Sequence, residues 1–337
     1  KTAYEMLRSL VGSEMCIRDS SRQQIDPASY LGRRFDINFR TGLLRTLDVD
    51  DYLRGYGEKP RMPPGEYLGK FLQGLARMYL CTGEAAARQR ADKIVQTWLR
   101  VQSADGWLGS YQRFRSWDIW EHKYVLLGLL DYYALTGEEM ALGAADRIGG
   151  LLLRHLGPGL GSIVQSGHWA LGSASILEAM VYLYRYTGEP KYLRFCEYIL
   201  SELEGPRGPK LILTLTRGSR RVCDVEDTWA NRAAREVRFN SFGQVRNRSK
   251  GYEMLSCLIG AARMYQLTGR SELLSAAVNA WQDISANRLY LAGSSGADEC
   301  FKDDQCLPAE NSDGPAEACV TAPVSYTHLT LPTIYSV

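Results

Sequence analysis

The chain has 337 residues, of which 45% are hydrophobic and 23% charged, enough to bury a large core in one big domain or two ordinary ones. Forty basic residues against thirty-eight acidic ones give a formal net charge of +2, and no stretch concentrates like charges, so neither nucleic acid nor an anionic membrane surface is indicated as a partner. The longest apolar runs, Val125–Leu130 and Ile148–Leu153, fall far short of the ~20 residues that span a bilayer, and eight scattered cysteines with no CxxC pair argue against a disulfide-stapled small fold.

Residues 1–20 follow neither the pattern of the interior nor that of a signal peptide, which needs a basic start and a longer apolar run. Residues 323–337 are equally foreign. Both segments resemble translated adapter sequence and are read as a non-native leader and tail, which leaves 21–322 as the expected domain.

Within that domain one phrase recurs. It is Met78-Tyr79-Leu80-Cys81-Thr82-Gly83, then Tyr132-Tyr133-Ala134-Leu135-Thr136-Gly137, Leu183-Tyr184-Arg185-Tyr186-Thr187-Gly188 and Met264-Tyr265-Gln266-Leu267-Thr268-Gly269, with glycines 54, 51 and 81 residues apart. Each copy closes an amphipathic stretch such as Leu68, Phe71, Leu72, Leu75, Met78 and Tyr79, where apolar residues recur at helical spacing. Glycine then supplies the left-handed residue that ends a helix. Second helices are predicted over Glu84–Gln102, Glu138–Arg154, Glu189–Glu204 and Arg270–Asn287. Such a period means stacked helical hairpins, each burying its apolar face against its neighbours. Four clear hairpins, with a weaker one expected near the N-terminus, point to an all-α, (α/α)-toroid fold more than to an open solenoid.

The long last interval holds an insertion, residues 205–249. Its strand-like run Leu211–Thr216 and the basic segment after it are read as a surface excursion with a short β-hairpin, and Asp224, Glu226 and Asp227 as a solvated acidic cluster.

In such a toroid, polar and aromatic residues at the hairpin mouths carry the chemistry. The first group is Asp105-Gly106-Trp107-Leu108-Gly109-Ser110-Tyr111, followed by Trp117-Asp118-Ile119-Trp120-Glu121-His122-Lys123-Tyr124. Aromatic faces stack on sugar rings while Asp and His fix hydroxyls, so this composition suits a carbohydrate. Trp107 and Trp120 fit a buried core equally well. His155, late in a helix, reads as structural. His168, in Gly167-His168-Trp169, and Tyr252, in Lys250-Gly251-Tyr252-Glu253, stand at helix starts, where Glu178 and Glu253 serve either a cleft or a helix dipole. The last group runs from Asp298-Glu299-Cys300 to Glu317-Ala318-Cys319. Glu317 and Cys319 could both reach one metal ion, but zinc wants four ligands, and the cysteine spacing matches no standard finger.

The ordered segments GEYLGKFL (65–72), QSADGWLGSY (102–111), WDIWEHKYVLLGLLDYYALTG (117–137), LYRYTGEPKYL (183–193), KGYEMLSCLIG (250–260), NRLYLAGSSGADECF (287–301) and AEACVTA (316–322) resemble glycoside hydrolase family 127, whose characterised members are β-L-arabinofuranosidases. The resemblance implies an (α/α)6 barrel, here the N-terminal catalytic-barrel part and incomplete at its C-terminal side. It also implies a retaining glycosidase acting on L-arabinofuranosides or related plant-type glycans. By position Glu299 matches the general acid/base, Glu317 and Cys319 two zinc ligands, and His122 a sugar-binding histidine, with His168, Tyr252 and Trp117 as further sugar contacts. Zinc is the implied cofactor and a small-molecule or oligosaccharide substrate the implied partner. The family's nucleophile is a zinc-bound cysteine from a pair beyond the E-x-C segment, and the match stops at Ala322. The chain as written is therefore expected to be truncated and inactive. The competing readings are another α/α-barrel sugar enzyme and a non-catalytic helical-toroid binding scaffold.

Overall fold

The computed structural model describes residues 26, 28–46, 48–54, 56, 64–167, 170–225, 238–240, 243–245, 250–289 and 300–301. In chain order they form α1 (Tyr30–Ile37), a π-helical run (Asn38–Thr46), α2 (Val49–Arg54), α3 (Pro64–Thr82), α4 (Ala85–Val101), α5 (Asp118–Thr136) and α6 (Glu139–His155). There follow α7 (Ala170–Ala174), α8 (Leu177–Thr187), α9 (Pro190–Glu204), α10 (Leu211–Thr216), strands β1 (Arg238–Asn240) and β2 (Gly243–Val245), α11 (Gly251–Thr268) and α12 (Ser271–Asn287). The four predicted second helices are α4, α6, α9 and α12. No helix among the described residues is long and apolar enough to cross a membrane.

The recurring Thr-Gly phrase is one turn built four times. Gly83, Gly137, Gly188 and Gly269 all take φ of 70–72°, the left-handed conformation that glycine adopts without a Cβ penalty. Their N–H groups donate to the carbonyls of Tyr79, Tyr133, Tyr184 and Tyr265 at 2.7–2.8 Å. In each copy the preceding threonine donates its hydroxyl back to the carbonyl four residues earlier at 2.7–2.8 Å. The same hydroxyl oxygen accepts the N–H two residues on at 3.1–3.4 Å. Helix end and next helix start are thus joined through a single threonine.

The chain divides into two compact units. The first comprises residues 1–111, 121–152 and 182–190. There α3 packs on α4, with Leu68, Leu72 and Leu75 of α3 and Ile94 and Trp98 of α4 fully buried. A seam of glycines brings α3 against α5: a Cβ on Gly65 would lie 2.6 Å from the Glu121 side chain, and one on Gly69 would run into the Tyr124 carbonyl. Gly128 faces the Gly69 carbonyl, where a Cβ would sit at 3.2 Å. By contrast nothing lies within 4 Å of a Cβ placed on Gly137. Gly137→Ala should therefore cost only the left-handed backbone penalty of about 1–2 kcal/mol. Gly69→Ala should cost more, because two helix backbones must separate. Urea titrations of both variants check that order, and a loss at Gly69 no larger than at Gly137 would contradict the seam.

The second unit comprises residues 112–120, 153–181 and 191–337. In it α12 packs on α10 and α11, and the Cys257 thiol of α11 donates to the Leu171 carbonyl at 3.2 Å. The end of α12 is pinned by Asp283, which accepts the Val222 N–H at 2.8 Å and two Arg288 bonds at 2.8 and 3.0 Å.

Two expectations about the insertion separate here. Leu211–Thr216 is a helix, not a strand. Its first N–H groups are capped from α9, where the Glu204 carboxylate accepts from Ile212 at 2.8 Å and Leu213 at 3.0 Å, and its buried Leu211, Ile212 and Leu215 face α12. An apolar run of this length is ambiguous by composition, and the carboxylate cap with tertiary packing decides it. The expected hairpin is formed further on by β1 and β2, antiparallel, with Phe239 opposite Gln244. Asp224 pairs with Arg221 at 3.2 Å, while Glu226 and Asp227 lie outside the described residues.

Candidate functional site

In the first unit, the loop between α4 and α5 is locked at its base. Gln102 donates to the carbonyls of Gly106 at 3.1 Å and Ala144 at 2.9 Å, and its own oxygen accepts Arg147 at 2.9 Å. Gly106 needs its φ of 99° and could carry no Cβ, because the Arg147 carbonyl occupies that place. Asp105 accepts the Trp107 N–H at 3.3 Å and shapes the turn.

Beyond Trp107 the loop is held by consecutive residues of α5. The Leu108 N–H donates to Nε2 of His122 at 3.2 Å. Glu121 accepts the Ser110 N–H at 2.7 Å, the Ser110 hydroxyl at 2.8 Å and the Gly65 N–H at 2.8 Å. The last of these places a carboxylate at the N-terminus of α3, where it meets an otherwise unpaired donor and the positive end of the helix dipole. Both side chains are buried, and the Trp107 ring lies 6.4 Å from the imidazole, tilted by 53°. Burial pushes the Glu121 carboxyl above the ordinary glutamate range, against the opposing hydrogen bonds from the Ser110 N–H, the Ser110 hydroxyl and the Gly65 N–H. Burial and then the nearby Glu121 raise the Tyr111 hydroxyl to about 12. The buried hydroxyl of Tyr56 is held well above its usual value by the same two causes.

In the second unit, Phe114 and Ser116 take left-handed φ of 55° and 49° without being glycine. Such strain persists only where the surroundings fix it. The Phe114 N–H donates to Asp118 at 2.8 Å, its carbonyl accepts the Gly167 N–H at 3.1 Å, and its ring stacks on His155 at 4.8 Å. The strained turn delivers Trp117, which meets Trp120 edge-on at 5.9 Å, and Trp120 meets Tyr252 at 5.1 Å and 83°. Trp120 is core, whereas Trp117 and Tyr252 are half-buried. The Lys250 ammonium stands 5.4 Å over the Trp117 ring and 3.6 Å from Glu253. The Lys250 backbone also forms an antiparallel bridge with Cys300, the residue after Glu299.

The sequence-predicted residues therefore fall into three sets. His122 and Trp107 share the first unit, and Trp117 and Tyr252 share the second. Glu299, His168, Glu317 and Cys319 lie outside the described residues, and among the described residues no group of three or more His, Cys, Asp or Glu side chains could hold a metal ion. Glu178 and Glu253 both stand in the first turn of a helix. Asp118 stood among the Asp and His groups expected to fix hydroxyls, while Glu121 and Lys250 lay within the quoted segments without a role of their own. Their signal was the placing of charged residues among tryptophans at a helix start, a pattern that equally suits a solvated face.

These hairpins are those of an all-α protein of the (α/α)-barrel class. A GH76 α-mannanase from Bacteroides thetaiotaomicron shares the fold, with TM-score 0.51 and 15% identity over 80% of this chain and 69% of that one. So does a GH127 β-L-arabinofuranosidase from Geobacillus stearothermophilus T6, with TM-score 0.60 and 16% identity over 94% of this chain and 51% of that one. The chain belongs to glycoside hydrolase family 127: the model of the β-L-arabinofuranosidase GH127 catalytic domain matches residues 49–330. Among curated relatives, the non-reducing end β-L-arabinofuranosidase of Bifidobacterium longum subsp. longum is 26% identical over 257 residues, 69% of this chain and 37% of that protein. The chain thus spans little more than a third of that relative and about half of the solved GH127 enzyme.

Proposed function

We propose that the full-length protein carrying this chain is a retaining glycoside hydrolase that acts on β-L-arabinofuranosides or related plant-type glycans. The observation that carries the reading is the GH127 catalytic-domain match across residues 49–330. In this reading Glu299 protonates the leaving oxygen and then activates water. His168, Tyr252 and Trp117 bind the sugar, the imidazole through hydroxyls and the aromatic rings through C–H edges, and His122, buried and with Nε2 taken by Leu108, meets a hydroxyl through Nδ1. The rigid loop around Trp107 supports this by holding an aromatic ring beside His122 without large reorganisation on binding. Zinc completes the proposal. Glu317 and Cys319 offer a carboxylate oxygen and a thiolate sulfur, both ordinary zinc donors and half of a four-coordinate set. Bound zinc would keep a cysteine thiol deprotonated and so able to act as a nucleophile near neutral pH.

A panel of glycosides offered to the full-length protein tests the substrate class, with β-L-arabinofuranosides hydrolysed and unsaturated uronides left intact. Cys319→Ser should lower its zinc content. Zinc-free wild-type protein with no hydrolysis of any glycoside would favour the non-catalytic scaffold instead.

A further inference from the structure

We propose that Glu121 is a positioning residue: by clamping Ser110 and the start of α3 it holds the Leu108 N–H against Nε2 of His122 and so commits that imidazole to one tautomer, with its proton on Nδ1. A nitrogen that accepts an N–H carries no proton, so the 3.2 Å bond from Leu108 fixes which imidazole nitrogen is protonated. That bond lasts only while Leu108 stays in place. Its buried side chain holds it from one side, and Ser110 holds its backbone from the other. Ser110 lies two residues on and is tied to Glu121 by both its N–H and its hydroxyl. Two residues of chain reach at most about 7 Å, so an anchor at Ser110 confines Leu108 as well. Consecutive residues of α5 thus grip the loop at alternate positions.

The chemistry requires a carboxylate. All three groups facing Glu121 donate, two of them backbone N–H groups that cannot reverse their role. Glutamine has the same shape but turns an N–H2 toward either Ser110 or Gly65, leaving a buried donor facing a donor in both orientations. The consequence for sugar binding rests on the reading of His122 given above. The tautomer itself does not.

The test uses the ¹⁵N-labelled chain at about pH 8, above the ordinary histidine pKa of ~6.5, with His122 assigned by its disappearance in His122→Gln. Long-range ¹⁵N–¹H spectra of the wild type should show a single Nδ1–H pattern for His122, and folded E121Q an averaged mixture of tautomers. A wild-type mixture, or folded E121Q with the wild-type pattern, overturns the proposal. Should E121Q not fold, Ser110→Ala decides, since it removes one donor to Glu121 and leaves the glycine seam untouched. A displaced Nε2 resonance supports the coupling, and an unmoved one overturns it. In the full-length protein E121Q should raise KM for an arabinofuranoside about tenfold with kcat nearly unchanged, as removal of ground-state positioning does. Absence of wild-type hydrolysis would defeat the functional reading while the spectra still settle the tautomer.

Discussion

Glu299→Gln in the full-length protein is expected to lower turnover on a β-L-arabinofuranoside by about 100- to 10,000-fold, the range that one positioned proton-transfer group contributes. The amide keeps the size of the carboxyl, so folding should survive. It can neither protonate a leaving oxygen nor take a proton from water, and a retaining mechanism asks both of one residue in turn. The loss should therefore be smaller in the first step for an aryl leaving group that departs without protonation. Steady-state rates on an aryl and an alkyl arabinofuranoside, with circular dichroism to verify folding, make the comparison. Wild-type turnover in the variant would remove Glu299 from the mechanism.

Asp283→Ala is expected to destabilise the chain by about 3–5 kcal/mol, the cost of breaking a buried ion pair from one side. Arg288 is only 1% exposed and Asp283 is its counter-charge at 2.8 Å. The same carboxylate accepts the Val222 N–H, Asn287 and a second Arg288 bond, so the substitution removes four hydrogen bonds together. Burial opposes the charged form of Asp283, but the bonds from Arg288, Val222 and Asn287 outweigh it and hold the carboxyl below its ordinary range. A depressed folded pKa stabilises at pH values above the unfolded aspartate pKa of ~3.9 and is lost as pH falls through the folded value. The stability gap between wild type and Asp283→Asn should accordingly narrow below about pH 4. Urea titrations at pH 7 and pH 3 check it, and an equal gap at both would contradict the charge assignment.

Much of the helical framework was legible because it is local. Thr-Gly four times over, each after a helical stripe, determines where one helix ends and the next begins, and the observed bounds differ from the predicted ones by about a residue. Leu211–Thr216 was misread because its deciding partner, Glu204, sits on the preceding helix and its packing partner is α12. The Gly65-x3-Gly69 spacing was visible, but a close helix seam shows itself only when Gly128, far along the chain, is brought opposite. Glu121 escaped notice for the same reason. Its donors lie 56 and 11 residues away, and no periodicity links them. His122 and Trp107 were recognised as neighbours of a sugar-type loop, yet the commitment of Nε2 to a backbone N–H is a fact of geometry alone.

A retaining hydrolase and any other reading part at the stereochemistry of the cleaved bond. Proton NMR of the full-length protein acting on a β-L-arabinofuranoside, recorded before the released sugar equilibrates, measures it directly. L-arabinofuranose appearing first as the β anomer is the predicted result. The α anomer first, or no arabinose released at all, would contradict it.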